Sequence, residues 1–130
     1  MNPIVKNILA VIIGIIVGMI VNMGLIMIGG ALFPIPDGVD PMNAHEWELK
    51  QFVFPFLAHA LGTLAGAIAT VKMAANHQNK LAIGIGFWFL AGGVAMVFMI
   101  PAPEWFIFKD LALAYIPMGI IAGKLFQANN

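Results

Sequence analysis

Three long apolar runs limit what this chain can fold into. They cover residues 8–33, 52–71 and 81–100; Asn22 alone interrupts the first, His59 and two threonines interrupt the second, and the third has no ionisable residue. A helix needs about 20 apolar residues to cross the hydrocarbon core of a bilayer. Since only 9% of the residues are charged, against about 25% in soluble domains, the sequence predicts an integral membrane protein.

A fourth segment is less regular than these three. The uncharged stretch between Asp110 and Lys124 spans only about 20 Å as a helix, so a full span must begin near Trp105 and places Asp110 below the membrane surface. Asp110 then needs a partner, or it caps the helix. The predicted fold is an all-α membrane protein, a compact four-transmembrane-helix bundle forming a single domain over residues 1–130. The predicted helices cover about 5–31, 44–74, 81–100 and 104–126, with an outer loop over 32–43.

The lysines predict the orientation of the bundle. One side of the predicted membrane carries Lys6, Lys72, Lys80 and Lys124, and the other carries Lys50 and Lys109 together with every acidic residue. Cytoplasmic loops of membrane proteins are enriched in basic residues, so both termini are expected in the cytoplasm (N-in/C-in). The expected location is the bacterial inner membrane, with Trp47 and Trp105 as interfacial anchors near the outer boundary.

The composition also excludes several classes of protein. The chain has no cysteine, which excludes disulfides and thiolate metal sites. It has no arginine and a net charge of zero, which argues against nucleic-acid binding. His45 and Glu48 lie three residues apart, but a single such pair does not predict a zinc site. We therefore expect no metal, no cofactor and no nucleic acid, and we expect membrane lipids, and a homo-oligomer or larger membrane complex, as partners.

Small residues recur four apart in three of the predicted helices. The pairs are Gly14 and Gly18, Gly62 and Gly66, and Gly119 and Gly123. In lipid, this GxxxG spacing lets two helix backbones approach closely. It predicts close packing within the four-helix bundle, and an oligomer interface is the alternative.

Few polar residues lie inside the predicted spans, and three of them share a depth. His59, Asp110 and Asn22 lie roughly 8–12 Å below the outer surface at 1.5 Å per residue, and Thr63 lies on the same helix face as His59. One interpretation is a His59–Asp110 pair, with Asn22 nearby, that can take up a proton. The other is a neutral His59 that bridges helices, with Asp110 as the N-cap of the fourth helix.

Two prolines fall inside predicted helices. Pro55 lies in the second and Pro117 in the fourth. A proline inside a helix removes a backbone hydrogen bond and clashes with the preceding turn. Both residues therefore predict kinks.

Three stretches of the chain resemble a known family. IPDGVDPMN (35–43), PFLAHALGTLAGA (55–67) and PAPEWFIFKDLALAYIPMG (101–119) together resemble an uncharacterised family of small bacterial four-helix inner-membrane proteins. The resemblance covers most of the chain and implies the same topology. It implies no mechanism, because that family has no assigned activity.

The sequence favours a non-enzymatic integral membrane protein. The leading hypothesis is a small scaffold or accessory subunit that packs or self-associates through its glycine-rich helix faces. The alternative is a small transporter or proton-coupled permeation protein that uses His59 and Asp110. An intramembrane enzyme is the least favoured class, because no pairing of a nucleophile with a base is visible.

Overall fold

A computed structural model describes residues 1–128 of the chain. It contains five α-helices and two short 3₁₀ helices, and no β-strand occurs within that range. The α-helices are α1 (Pro3–Leu32), α2 (Val53–Met73), α3 (Gln78–Met99), α4 (Glu104–Leu113) and α5 (Ile116–Phe126). Four segments are long and apolar enough to cross a membrane: Pro3–Leu32, Leu49–Met73, Gln78–Met99 and Glu104–Phe126. The prediction of an all-α protein with four apolar spans is confirmed.

Both ends of the chain meet the turn between α2 and α3. The Asn7 side chain in α1 donates to Asn76 Oδ1 (2.7 Å) and accepts the backbone N–H of Ala75 (2.8 Å). After α5, the backbone N–H of Ala128 donates to Gln78 Oε1 (2.7 Å). We call this end of the bundle, formed by residues 1–7, 72–80 and 124–128, the terminal end.

The two longer connections meet at the opposite end. The backbone N–H of Ala44 donates to the carbonyl of Pro101 (2.8 Å), and Gln51 Nε2 donates to the carbonyl of Pro34 (3.2 Å). These bonds tie the connection between α1 and α2 to itself and to the connection between α3 and α4. We call this end, formed by residues 33–52 and 100–105, the loop end.

Glycines bring α1 and α2 into backbone contact. A Cβ added at Gly66 would lie 2.5 Å from the carbonyl oxygen of Gly14, and one added at Gly62 would lie 2.9 Å from that of Gly18. Thr70 fills the next position, where its hydroxyl donates to the carbonyls of Ala10 and Gly66. In lipid, helix association depends on this kind of close packing and on interhelical hydrogen bonds.

The glycines of α5 pack in the same way against α3. A Cβ at Gly119 would lie 2.6 Å from the carbonyl oxygen of Ala82, and one at Gly123 would overlap the Asn79 side chain. All six glycines of the three GxxxG pairs therefore face neighbouring helices of their own chain. These faces are filled and are not available to a second molecule.

The second helix begins later than the sequence predicts. A helix from residue 44 is wrong, because two 3₁₀ helices, Ala44–Glu46 and Leu49–Phe52, precede α2. Trp47 and Glu48 between them are extended, with ψ values of 150° and 163°, and the Gln51 side chain accepts the backbone N–H of Glu48 (2.7 Å). Pro55 is the third residue of α2, where no intrahelical N–H bond is needed, so it does not interrupt the helix.

The fourth span is broken, not merely kinked. α4 ends at Leu113 and α5 starts at Ile116, with Tyr115 at φ −119° and ψ −78° between them. Pro117 lies in the first turn of α5. Its ring cannot donate a hydrogen bond to the carbonyl of Leu113 and clashes with it, which explains why α4 stops there.

Candidate functional site

Two side chains, those of His59 and Tyr115, meet at the buried carboxylate of Asp110. His59 Nδ1 lies 2.7 Å from Asp110 Oδ1 and 2.9 Å from Oδ2, and the Tyr115 hydroxyl donates to Asp110 Oδ2 (2.9 Å). The His59 and Tyr115 rings stack, with centroids 5.7 Å apart and an interplanar angle of 26°. Asp110 is 5% exposed and Tyr115 is 2% exposed, whereas the His59 side chain is 21% exposed. We call these three residues the triad.

The break in the fourth span assembles the triad. Residues five apart on a continuous helix point about 140° away from each other, at 100° per residue. The irregular backbone at Ala114 and Tyr115 removes this restriction, and the Tyr115 hydroxyl reaches back to Asp110. Asp110 itself lies in the last turn of α4, whose N-cap is Pro103, so the interpretation of Asp110 as an N-cap is wrong.

The other two residues of the predicted polar layer lie apart from the carboxylate. The Thr63 hydroxyl donates to the His59 carbonyl one turn earlier in α2 (2.7 Å), so Thr63 contributes to the helix and not to the triad. Asn22 packs against Gly62, whose added Cβ would lie 3.0 Å from Asn22 Cβ. The Asn22 Oδ1 atom is buried and has no hydrogen-bond partner within residues 1–128.

The two tryptophans predicted as anchors belong to an aromatic cluster at the loop end. Phe52 is its centre, with ring centroids 5.4 Å from Trp47, 5.2 Å from Trp105 and 4.7 Å from Phe106. Lys109 Nζ lies 5.9 Å from the Trp105 ring centroid, a distance typical of a cation–π contact. The cluster holds the 3₁₀ segment against the start of α4.

A cavity of about 210 Å³ lies between this cluster and the triad. His59, Asp110 and Trp47 are the lining residues with polar side-chain atoms, and the rest of the wall is apolar. Most of the apolar wall comes from α3 and α4, from the 3₁₀ segment and from Ile26 of α1. His59 Nε2 has no hydrogen-bond partner in the described part of the chain, and the buried Trp47 Nε1 has none either.

The bundle is apolar between the cavity and the terminal end. Two clusters fill this region, one around Ala60, Ala114 and Tyr115 and one around Val71 and Ile85. The buried polar side chains of this region, Thr63 and Thr70, have hydroxyls that donate to backbone carbonyls. Within residues 1–128, no polar route leads from the triad to the terminal end.

Tyr115 is the member of the triad that sequence reasoning misses. It is the only tyrosine in the chain, and its five-residue separation from Asp110 is not a spacing that places two residues on one helix face. The signal that locates it is Pro117, which predicts an interrupted helix directly after Tyr115.

The triad combines a carboxylate, an imidazole and a phenol, groups that can share and hold a proton. In the part of the chain that the structure describes, no three His, Asp or Glu side chains converge as metal ligands do. No protein-family model, curated protein or solved structure matches this chain.

Proposed function

We propose that the protein is a multi-pass protein of the bacterial inner membrane with both termini in the cytoplasm. The four apolar spans support insertion, and the terminal end collects Lys6, Lys72, Lys80 and Lys124. Excess lysine marks the cytoplasmic side of a membrane protein. The resemblance to four-helix inner-membrane proteins points to the same arrangement.

Single-cysteine labelling tests this topology without background, because the chain has no native cysteine. Ala75→Cys, in the turn between α2 and α3, and Gln127→Cys, after α5, should react with a membrane-impermeant maleimide only after the cells are lysed. Asp37→Cys, at the loop end, should react in intact cells. Labelling of Ala75→Cys in intact cells would contradict the proposed orientation.

Within that topology we propose a non-enzymatic scaffold or accessory subunit. The observation that carries this proposal is the apolar core beneath the triad, which favours a rigid bundle over a conducting one. The chain has no serine or cysteine, and the hydroxyls of Thr63 and Thr70 donate to backbone carbonyls and not to a base. Because the GxxxG faces are filled, a partner must bind to another surface. Of the four spans, α1 has the smallest buried fraction.

Cross-linking in native membranes tests the accessory function. Ile16→Cys and Met23→Cys place thiols on the exposed side of α1, and both should form cross-links to a second copy or to another membrane protein. Phe98→Cys, on an exposed position of α3, is the matched control and should remain monomeric. Equal cross-linking of all three variants, or of none, would contradict a partner surface on α1.

A proton-coupled transporter is the second candidate, and the contact between His59 and Asp110 beside a cavity favours it. If the protein were such a transporter, reconstituted vesicles that contain it would show a pH-dependent flux, and His59→Ala would abolish that flux. We expect no such flux, because the apolar half of the bundle offers no path for a hydrated solute. A flux that depends on His59 would replace the accessory function with this one.

A further inference from the structure

We propose that the cavity at the loop end binds the uncharged, oxygen-bearing ring of a lipid-soluble molecule, a ring of the quinone class. This proposal goes beyond the accessory function and does not depend on it. It is carried by the size of the cavity, its lining, its charge and the side from which it can be entered.

The size of the cavity limits the occupant to one substituted ring. An apolar cavity of about 150 Å³ in another protein accommodates benzene, so about 210 Å³ accommodates a ring with a few small substituents. A folded lipid chain does not fit. The walls suit a flat ring, because Phe52 and Phe106 line the cavity together with Val97 and Ile107.

One polar atom on the lining lacks a protein partner, and it defines what the ring must carry. Asp110 occupies His59 Nδ1, which leaves Nε2 to interact with an occupant. Trp47 Nε1 also has no partner in residues 1–128, but it is buried and does not face open space. A carbonyl oxygen on the ring accepts a hydrogen bond from His59 Nε2 when that nitrogen carries a proton, and a hydroxyl donates to it when it does not.

The charge of the site disfavours an anionic occupant. An imidazole facing a carboxylate is neutral as a pair when the imidazole is protonated, and it carries one negative charge when the imidazole is neutral. No lysine lines the cavity. An anionic head group would therefore bring an uncompensated charge into an apolar site, which is costly, whereas a carbonyl or hydroxyl oxygen brings none.

Two residues that line the cavity lie on the lateral surface of the bundle. The lining includes Ile26 of α1, which is 38% exposed, and Met96 of α3, which is 42% exposed. Both belong to apolar spans, so this side of the cavity lies at the lateral surface of the bundle. Trp47 and Phe52 cover the side that faces the loop end. A ring that enters between α1 and α3 can leave its hydrocarbon tail in the bilayer.

Duroquinone and durene test the proposal directly, because they are the same tetramethyl ring with and without two carbonyl oxygens. The purified protein is placed in nanodiscs, and the bound probe is measured as the excess over protein-free nanodiscs. We expect saturable binding of duroquinone with a Kd at least tenfold lower than that of durene. Equal binding of the two probes, or no saturable excess of duroquinone, would overturn the proposal.

Two valines of α3 provide matched variants. Val97 lines the cavity, whereas Val94 is exposed and does not. Val97→Phe fills the cavity and should abolish duroquinone binding, and Val94→Phe should leave it unchanged. An equal effect of both variants, with the helical content of each retained by circular dichroism, would show that the probe binds elsewhere. The comparison of duroquinone with durene on the wild-type protein decides the matter if Val97→Phe does not fold.

Two further measurements test the contacts and the route of entry. His59→Phe keeps an aromatic wall but removes the Nε2 atom, so duroquinone binding should weaken by about fivefold, the effect of one hydrogen bond, in a protein whose helical content is retained. Decylubiquinone, whose ring carries a long tail, should compete with duroquinone. Unchanged binding in His59→Phe would exclude His59 as the partner of the ring, and failure of decylubiquinone to compete would exclude a ring that leaves a tail in the bilayer.

Discussion

At the scale of single residues, the protein buries one carboxylate almost completely. Asp110 is held by one nitrogen and one hydroxyl, from His59 and Tyr115. A buried carboxylate is tolerated in a membrane protein when it is paired in this way. The sequence predicts His59 and Asp110 at one depth, because depth depends only on counting residues along helices. It does not predict Tyr115, because that contact depends on an irregular backbone.

We expect Asp110→Ala to destabilise the protein by about 1–3 kcal/mol, since the substitution leaves His59 Nδ1 and the Tyr115 hydroxyl buried without partners. Tyr115→Phe removes a single hydrogen bond and should cost less, about 0.6–1.7 kcal/mol. Unfolding by SDS titration in mixed micelles measures both. Glu104→Ala, at an exposed acid of the same helix, is the control and should change stability by less than about 0.5 kcal/mol. Equal losses for all three variants would mean that the triad does not stabilise the bundle.

At the scale of helices, two backbones approach closely where a glycine of one helix packs against another helix. The GxxxG spacing predicts that Gly14, Gly18, Gly62 and Gly66 let backbones meet, and the structure shows that the neighbour is another helix of the same chain. Spacing alone cannot distinguish this arrangement from an oligomer, because both present the same surface. The predicted helices over 5–31 and 81–100 agree with the bounds of α1 and α3 to within three residues. The start of α2 and the break before α5 do not, because they depend on Gln51 and Pro117.

Gly66→Ala should weaken the packing of α1 on α2. The new Cβ would lie 2.5 Å from the backbone carbonyl oxygen of Gly14, and a backbone atom cannot rotate away, so the helices must separate. We expect a loss of about 2 kcal/mol or more, comparable to overpacking in a core. Gly84→Ala in α3 is the matched control, because a Cβ there meets nothing within 4 Å.

The control should be neutral or stabilising by about 0.5–1 kcal/mol, the usual gain when alanine replaces glycine in a helix. Thermal unfolding in detergent, followed by circular dichroism, measures the two variants side by side. A Gly66→Ala protein as stable as the Gly84→Ala protein would contradict the close contact between α1 and α2.

Pro117→Ala tests whether proline maintains the break in the fourth span. Alanine restores a donor toward the Leu113 carbonyl and removes the clash, so α4 should extend toward α5 and turn Tyr115 away from Asp110. Because Tyr115 is the only tyrosine, ¹³Cζ-tyrosine labelling gives a single NMR signal. We expect Pro117→Ala and Asp110→Leu to shift this signal in the same direction. An unshifted signal in Pro117→Ala would show that packing of Tyr115 against Gly86 and Gly93 is sufficient to keep the break.

At the scale of the whole molecule, the two ends of the bundle differ in both charge and polarity. The loop end carries five of the six acidic residues and borders the cavity, and the terminal end carries four of the six lysines. The triad lies nearer the loop end, and the core beneath it is apolar. This arrangement suits binding on one side of the bundle better than conduction across it. The sequence predicts this asymmetry, because the positions of charged residues and the depth of polar ones can be read along the chain. It does not predict the cavity. A cavity forms where side chains from several segments leave space between them, and that depends on the packing.

The proposed orientation rests on few charges and should respond to their removal. Lys6→Gln with Lys80→Gln leaves two lysines at the terminal end against Lys50 and Lys109 toward the other end, and we expect a mixed population of both orientations. Lys50→Gln with Lys109→Gln removes the same number of charges from the other end and should leave a single orientation. Maleimide labelling of Ala75→Cys in intact cells measures the inverted fraction. No inversion in the first double variant would mean that the lysines do not set the orientation.

The break between α4 and α5 also decides where this chain tolerates insertions and deletions. Asp110 and Tyr115 meet only with the four intervening residues that the structure has, residues 111–114. One residue more in the helical part of this stretch, residues 111–113, would turn the phenol by about 100° and move it by about 1.5 Å relative to Asp110, and the ring would leave both the carboxylate and the imidazole. A change of length in the exposed loop over residues 36–42 moves none of these groups. Insertions and deletions in that loop are therefore compatible with the triad. The stretch from 110 to 115 must keep its length for the triad to form.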